Sequence, residues 1–101
     1  MIRLYRSLPY KTDTQVLGKQ LLRCGTSVAA NYRAVCRARS KAEFVARMGV
    51  VVEEADEAIL WLELMTESGI VSSTKTEALL KEANELTAIF AASQRTARNA
   101  A

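Results

Sequence analysis

This sequence predicts an all-helical bundle, and three observations carry that prediction. Alanine, leucine, glutamate, lysine and arginine dominate a chain with only four glycines and one proline, a composition that favours helices and leaves strands little claim. Apolar residues recur at spacings of three and four along three long stretches, the period of helices with one buried face. Helix-opening and helix-closing residues stand at the ends of those stretches. With 101 residues, half of them apolar, the chain supports one domain over 1–101 with a modest core.

The first element is a stub over about residues 1–8, where Ile2, Leu4, Tyr5 and Leu8 are apolar, Arg3 and Arg6 are polar, and Pro9 ends the helix. A long helix follows over about 13–38, opened by Thr12 with Gln15 or by Asp13 and Thr14 as alternative caps. At about 100° per residue, Leu17, Leu21, Cys24, Val28, Tyr32 and Val35 fall within an arc of about 80°, its buried face. Ser40 followed by Glu43 forms a capping box: the serine oxygen accepts from the amide three residues on, while the glutamate reaches back. The helix it opens spans about 40–68 and closes at Gly69, a residue that tolerates the left-handed conformation of a helix end. Phe44, Met48, Val51, Val52, Ala55, Ile59 and Leu62 form its core stripe, with Glu53, Asp56, Glu57, Glu63 and Glu67 on the far face. Ser72, Ser73 and Thr74 cap a last helix over about 72–93, in which Leu79, Ala83, Leu86 and Phe90 repeat at helical spacing and Leu80 and Ile89 widen the stripe. The tail QRTARNAA, 94–101, has no apolar periodicity and is expected to fray.

Charge divides the chain. Residues 1–40 hold eight Lys or Arg against Asp13 alone, a net of +7, whereas residues 41–101 hold six against ten Asp or Glu, a net of −4. Lys19, Arg23, Arg33 and Arg37 lie within about 80° of one another on the side of their helix away from the buried face, and Arg39, Lys41 and Arg47 extend the stripe around the turn. Such a stripe is ordinarily a solvated face, but with so little interleaved acid it is also a candidate phosphate-binding surface. No ladder of exposed aromatics accompanies it, so stacking on unpaired bases and base-specific readout are not expected.

Catalytic patterns are missing from the sequence. Without any histidine, neither an activated serine or cysteine nucleophile nor the Glu-x-x-His ligation of a di-iron bundle is available, and no glycine-rich phosphate loop is present. The carboxylates Glu53, Glu54, Asp56 and Glu57 read as a solvated or inter-subunit face, with Glu54 on the flank as a partner for an arginine. Cys24 and Cys36 stand twelve positions, about 18 Å, apart on one helix, too far for a disulfide, and both read as buried packing residues with no metal role. We therefore expect a protein without catalytic residues, cofactor or metal. The longest uncharged apolar run, Ala58–Leu62, is far short of the roughly 20 residues of a membrane span, and no secretory signal opens the chain, so a cytoplasmic location is expected.

The segment SVAANYRAVCRARSKAEF, 27–44, resembles the four-helix bundle proteins encoded in bacterial 23S ribosomal RNA intervening sequences. The matching residues are Ala30, Asn31, Arg37, Ser40, Glu43 and Phe44, with LGKQLLRCGTSV similar to the family's second helix and EEADEAILWLELMTESGIV to the end of its third. The resemblance spans roughly residues 4–92. It implies an antiparallel up-and-down bundle of the four-helix type, the first helix here reduced to a short stub, assembling into a ring that is usually pentameric. The family is more distantly similar to accessory proteins of diversity-generating retroelements, basic pentameric barrels that bind nucleic acid and a reverse transcriptase.

Two functions from different classes follow. One is an oligomeric accessory or structural factor binding RNA or DNA, or a ribonucleoprotein, through Lys19, Arg23, Arg33, Arg37, Arg39 and Lys41. The other is a protein–protein scaffold in which the basic face of one subunit meets the acidic face of the next. In either case Leu60, Trp61 and Leu64, which break the polar side of their helix, are the expected oligomer contact. Asn31, Ser40, Glu43 and Glu54 are read as structural polar residues, Asn31 fixing bundle register through a neighbouring helix or backbone group.

Overall fold

The computed structural model describes residues 1–100 and contains α1 (Ile2–Ser7), α2 (Thr12–Cys36), α3 (Lys41–Glu67) and α4 (Ser73–Asn99), with no strand among the described residues. The all-helical prediction and the stub are both present. Leu8 takes an extended conformation (φ −71°, ψ 142°), as the steric demand of the following Pro9 requires, and α1 ends there. At the other helix end, Gly69 sits at φ 79° and turns the chain from α3 toward α4.

Three boundaries differ from the reading of the sequence. Helix α2 starts at Thr12 with Lys11 at its N-cap and no side-chain cap; the Asp13 carboxylate instead accepts from the Thr14 amide at 2.8 Å. It also stops at Cys36 rather than residue 38, and Arg37 begins the turn at φ −108°, ψ 12°. The largest change is in α4, which continues through the tail expected to fray, to Asn99. Its last turns have tertiary partners: Gln94 Nε2 donates to the Val45 carbonyl at 3.1 Å, and Lys41 Nζ donates to the Ala100 carbonyl. Ala101, the end of that tail, lies outside the described residues. The capping box at α3 forms in altered shape. Ser40 Oγ accepts from the Glu43 amide at 3.0 Å, but Glu43 reaches one residue further back, to the Arg39 amide at 3.2 Å.

Helix α3 is the spine of a rod 50 × 19 × 17 Å. Both α2 and α4 pack along it and meet each other through Tyr32 and Phe90, whose ring centroids lie 5.5 Å apart, while α1 touches α2. The apolar faces close into two cores. One joins Leu4 of α1, Leu21 and Cys24 of α2, Ala58, Leu62 and Met65 of α3, and Val71; the other joins Val35, Met48, Val51, Ala55 and Phe90. Thr76 is completely buried beside the first core and shares a 2.8 Å hydrogen bond with Thr66, so its hydroxyl is satisfied.

Between α2 and α4 runs an open apolar groove of about 280 Å³, floored by Ala55 and Ala58 and flanked by Val28, Leu79, Leu86 and Phe90. Met1 lies over one end of it against Gly25, where the absence of a side chain makes room. Leu86, placed in the core stripe by periodicity, lines this groove and is 39% exposed, while Ile89, placed there too, is 58% exposed beside a separate shallow depression with Phe44 and Thr96. No described helix is long and apolar enough to cross a membrane.

Candidate nucleic-acid interface

Because α2 and α4 end where α3 begins, one pole of the rod gathers the residues of the α2–α3 turn and the α4 C-terminus. A shallow depression of about 390 Å³ lies in this pole, lined by Arg33 of α2, Arg37 and Arg39 of the turn, Arg47 of α3, and the small Ala30 and Ala34. Glu43 is the acid in its lining, and it is occupied. Its carboxylate holds the Arg39 amide and accepts from Arg47 Nε at 3.4 Å, so it positions Arg47 and tethers the turn. The guanidinium groups of Arg33, Arg37 and Arg39 form no ion pair among the described residues.

The predicted stripe is therefore divided. Arg33, Arg37 and Arg39 converge on the depression, and Lys41, at the first turn of α3, borders the pole. Lys19 is exposed on α2 far from them, roughly 21 Å from Arg33 along the axis at 1.5 Å per residue. Arg23 is engaged elsewhere. Its Nη2 meets Glu57 at 2.7 Å and its Nη1 meets Glu54 at 3.3 Å, both on α3, tying α2 to α3 over the thiol of Cys24. Trp61 Nε1 also donates to Glu57, at 3.3 Å. Sequence reasoning grouped Arg23 with the others because angular position on one helix is blind to a facing helix.

The same cluster brings the Cys24 sulfur and carboxylate oxygens of Glu54 and Glu57 within 4.8 Å of one another, a possible ligand set for a metal ion. Its donors are committed to Arg23, and burial pushes the Cys24 thiol up to about 11, well above its ordinary range, so the arrangement suits a guanidinium and a protonated thiol. Cys36 departs from expectation: it is exposed. Twelve residues of helix turn it about 120° away from Cys24, off the buried face.

Asn31 is half-buried and donates to the carbonyl and hydroxyl of Ser27 on its own helix, at 2.9 and 3.1 Å, so its bonds fix no inter-helix register. Of the expected oligomer contact, Leu60 and Leu64 stand 47% and 37% exposed, whereas Trp61 is half-buried against the first core. Arg95 and Arg98, in turns expected to fray, were missed as candidates; the ordered α4 brings both to the basic pole.

The family model for the 23S rRNA-intervening sequence protein matches residues 1–92. The chain belongs to this family. A solved member of the S23 ribosomal protein family, a protein of unknown function from Bacteroides thetaiotaomicron, is 30% identical, with a TM-score of 0.81 over 88% of this chain and 82% of that one. Among curated proteins nothing matches. The family assignment agrees with the helical architecture.

Proposed function

We propose that this 23S rRNA-intervening sequence protein is a non-catalytic, self-associating accessory factor that binds nucleic acid, free or within a ribonucleoprotein, through its basic pole. The observation that carries this reading is the depression in which four arginines from two helices and their turn converge around a single, already engaged carboxylate. Guanidinium groups donate in a fixed fork that matches phosphate oxygens, and a surface of them without aromatics recognises backbone rather than bases. Pairing of Arg23 with Glu54 and Glu57 inside one chain removes part of the acidic face that a scaffold would offer its neighbour. Self-association is favoured separately by the exposed Leu60 and Leu64 and by the open groove between α2 and α4.

Fluorescence anisotropy with duplex DNA and structured RNA across a salt series tests the reading, with oligomer mass recorded alongside. Four phosphate contacts give a slope of log K against log salt of about −3.6 per engaged protomer. Arg33→Glu/Arg37→Glu should abolish binding, and the neutral Arg33→Gln/Arg37→Gln should reduce the slope by about 2 with assembly intact. Absence of binding at low salt, or variants that dissociate into monomers, would assign the arginines to subunit contacts instead.

A further inference from the structure

We infer that the last two turns of α4 are part of the binding surface, with Arg95 and Arg98 forming its second wall; this rests on the nucleic-acid reading above. These turns begin after residue 92, where the family match stops, and their sequence carries no apolar stripe of its own that would require them to be ordered. They are nevertheless helical to Asn99 and held at three points. Gln94 bonds the Val45 carbonyl, Ala97 packs beside Phe44 in the small-residue cleft at the pole, and Lys41 reaches the Ala100 carbonyl. The holding residues, Lys41, Phe44 and Val45, lie in the first turns of α3, which also carries Glu43 and Arg47 of the depression. The segment is thus fixed to the element that bears the arginine cluster.

Its chemistry continues that of the depression. After Glu85 the described residues of α4 contain no acid, and the two cations there, Arg95 and Arg98, are exposed and form no ion pair among the described residues. The pole as a whole presents Arg33, Arg37, Arg39 and Arg47 on its α2 side and Arg95 and Arg98 on its α4 side, across a cross-section of 19 × 17 Å. A duplex carries one charge per roughly 1.7 Å of axis, so about 11 phosphate charges lie within 19 Å, more than enough to engage both walls at once. The ligand class is the sugar-phosphate backbone of double-stranded or folded nucleic acid, contacted end-on by the rod.

The test is the same salt series on the full chain with Arg95→Gln/Arg98→Gln, compared with Arg33→Gln/Arg37→Gln. Both pairs are exposed, and helicity by circular dichroism checks that α4 persists. Loss of two phosphate contacts lowers the slope by about 1.8 and weakens binding about 60-fold at 0.1 M salt relative to a 1 M reference. Gln94→Ala, which releases the segment without touching its charge, should produce a smaller loss in the same direction. If Arg33→Gln/Arg37→Gln weakens binding while Arg95→Gln/Arg98→Gln leaves slope and affinity unchanged, the second wall is refuted and the pole reading survives. If the parent protein binds neither duplex DNA nor structured RNA, both fall together.

Discussion

Arg23 separates a charge that holds the bundle from charges that face outward, and Arg23→Gln measures the separation. The substitution removes two contacts to α3, at 2.7 Å to Glu57 and 3.3 Å to Glu54. The arginine side chain is half exposed, which places each pair in the range of about 0.2–1 kcal/mol. Glu54 and Glu57, three apart on one helix, then repel each other by about 0.2–0.5 kcal/mol, moderated by the Trp61 indole that still bonds Glu57. The total is a loss of about 1 kcal/mol, or about 4–8 °C in Tm for a domain of this size. Thermal unfolding followed by circular dichroism reads the loss, and a cycle with Glu57→Gln isolates the closer pair as a coupling of about 0.5 kcal/mol. The nucleic-acid salt slope should not change. A variant with unaltered Tm and a slope reduced by about 0.9 would show that Arg23 contacts phosphate, and the division of the stripe would be wrong.

Two further outcomes test the core and the thiols. Leu62→Ala empties a site with no exposure in the C-terminal part of α3 and should cost about 2–5 kcal/mol in urea unfolding, while Leu60→Ala, 47% exposed, should cost under about 0.5 kcal/mol in the monomer; equal losses would contradict the assigned faces. Iodoacetamide should modify Cys36 in the folded protein and reach Cys24 only on unfolding. Because burial raises the Cys24 thiol from an ordinary 9.0 to about 11, the folded state holds its proton more tightly. Stability should therefore fall as pH rises from 9 to 11, a decline that Cys24→Ala should flatten.

Elements that announce themselves through local rules were legible in the sequence. Ser40 with Glu43, Gly69 and Pro9 each act within a few residues, and each marks a real helix end. The apolar stripe of α3 was equally readable because α3 has neighbours on both sides; Met48, Val51, Ala55, Ile59 and Leu62 are all buried. Periodicity failed where the neighbour is absent or unforeseen. Leu86 and Ile89 share the spacing of core residues but border open depressions, Leu86 the groove between α2 and α4 and Ile89 a separate one beside Phe44, and Cys36 was grouped with Cys24 without following the helix around by twelve residues. Charge and helical position placed Arg33, Arg37 and Arg39 together, and the structure brings those three to one depression. The loss of Arg23 to Glu54 and Glu57, and the gain of Arg95 and Arg98, depended on contacts between residues more than thirty positions apart, as in the 2.7 Å pair of Arg23 with Glu57.

The two cores give the molecule unequal halves. The core that contains Leu4 is closed partly by α1, a helix of six residues, whereas the core beneath the basic pole uses only α2, α3 and α4. Opening of α1 should therefore be a sub-global event that loosens the surroundings of Leu21 and Cys24 before the remaining helices separate. The core beneath the pole, Val35, Met48, Val51 and Phe90, contains no residue of α1, so its amide protection should outlast the opening of α1 in hydrogen exchange. A protein built this way can exchange conformations, or partners, at one end without surrendering the geometry of the other.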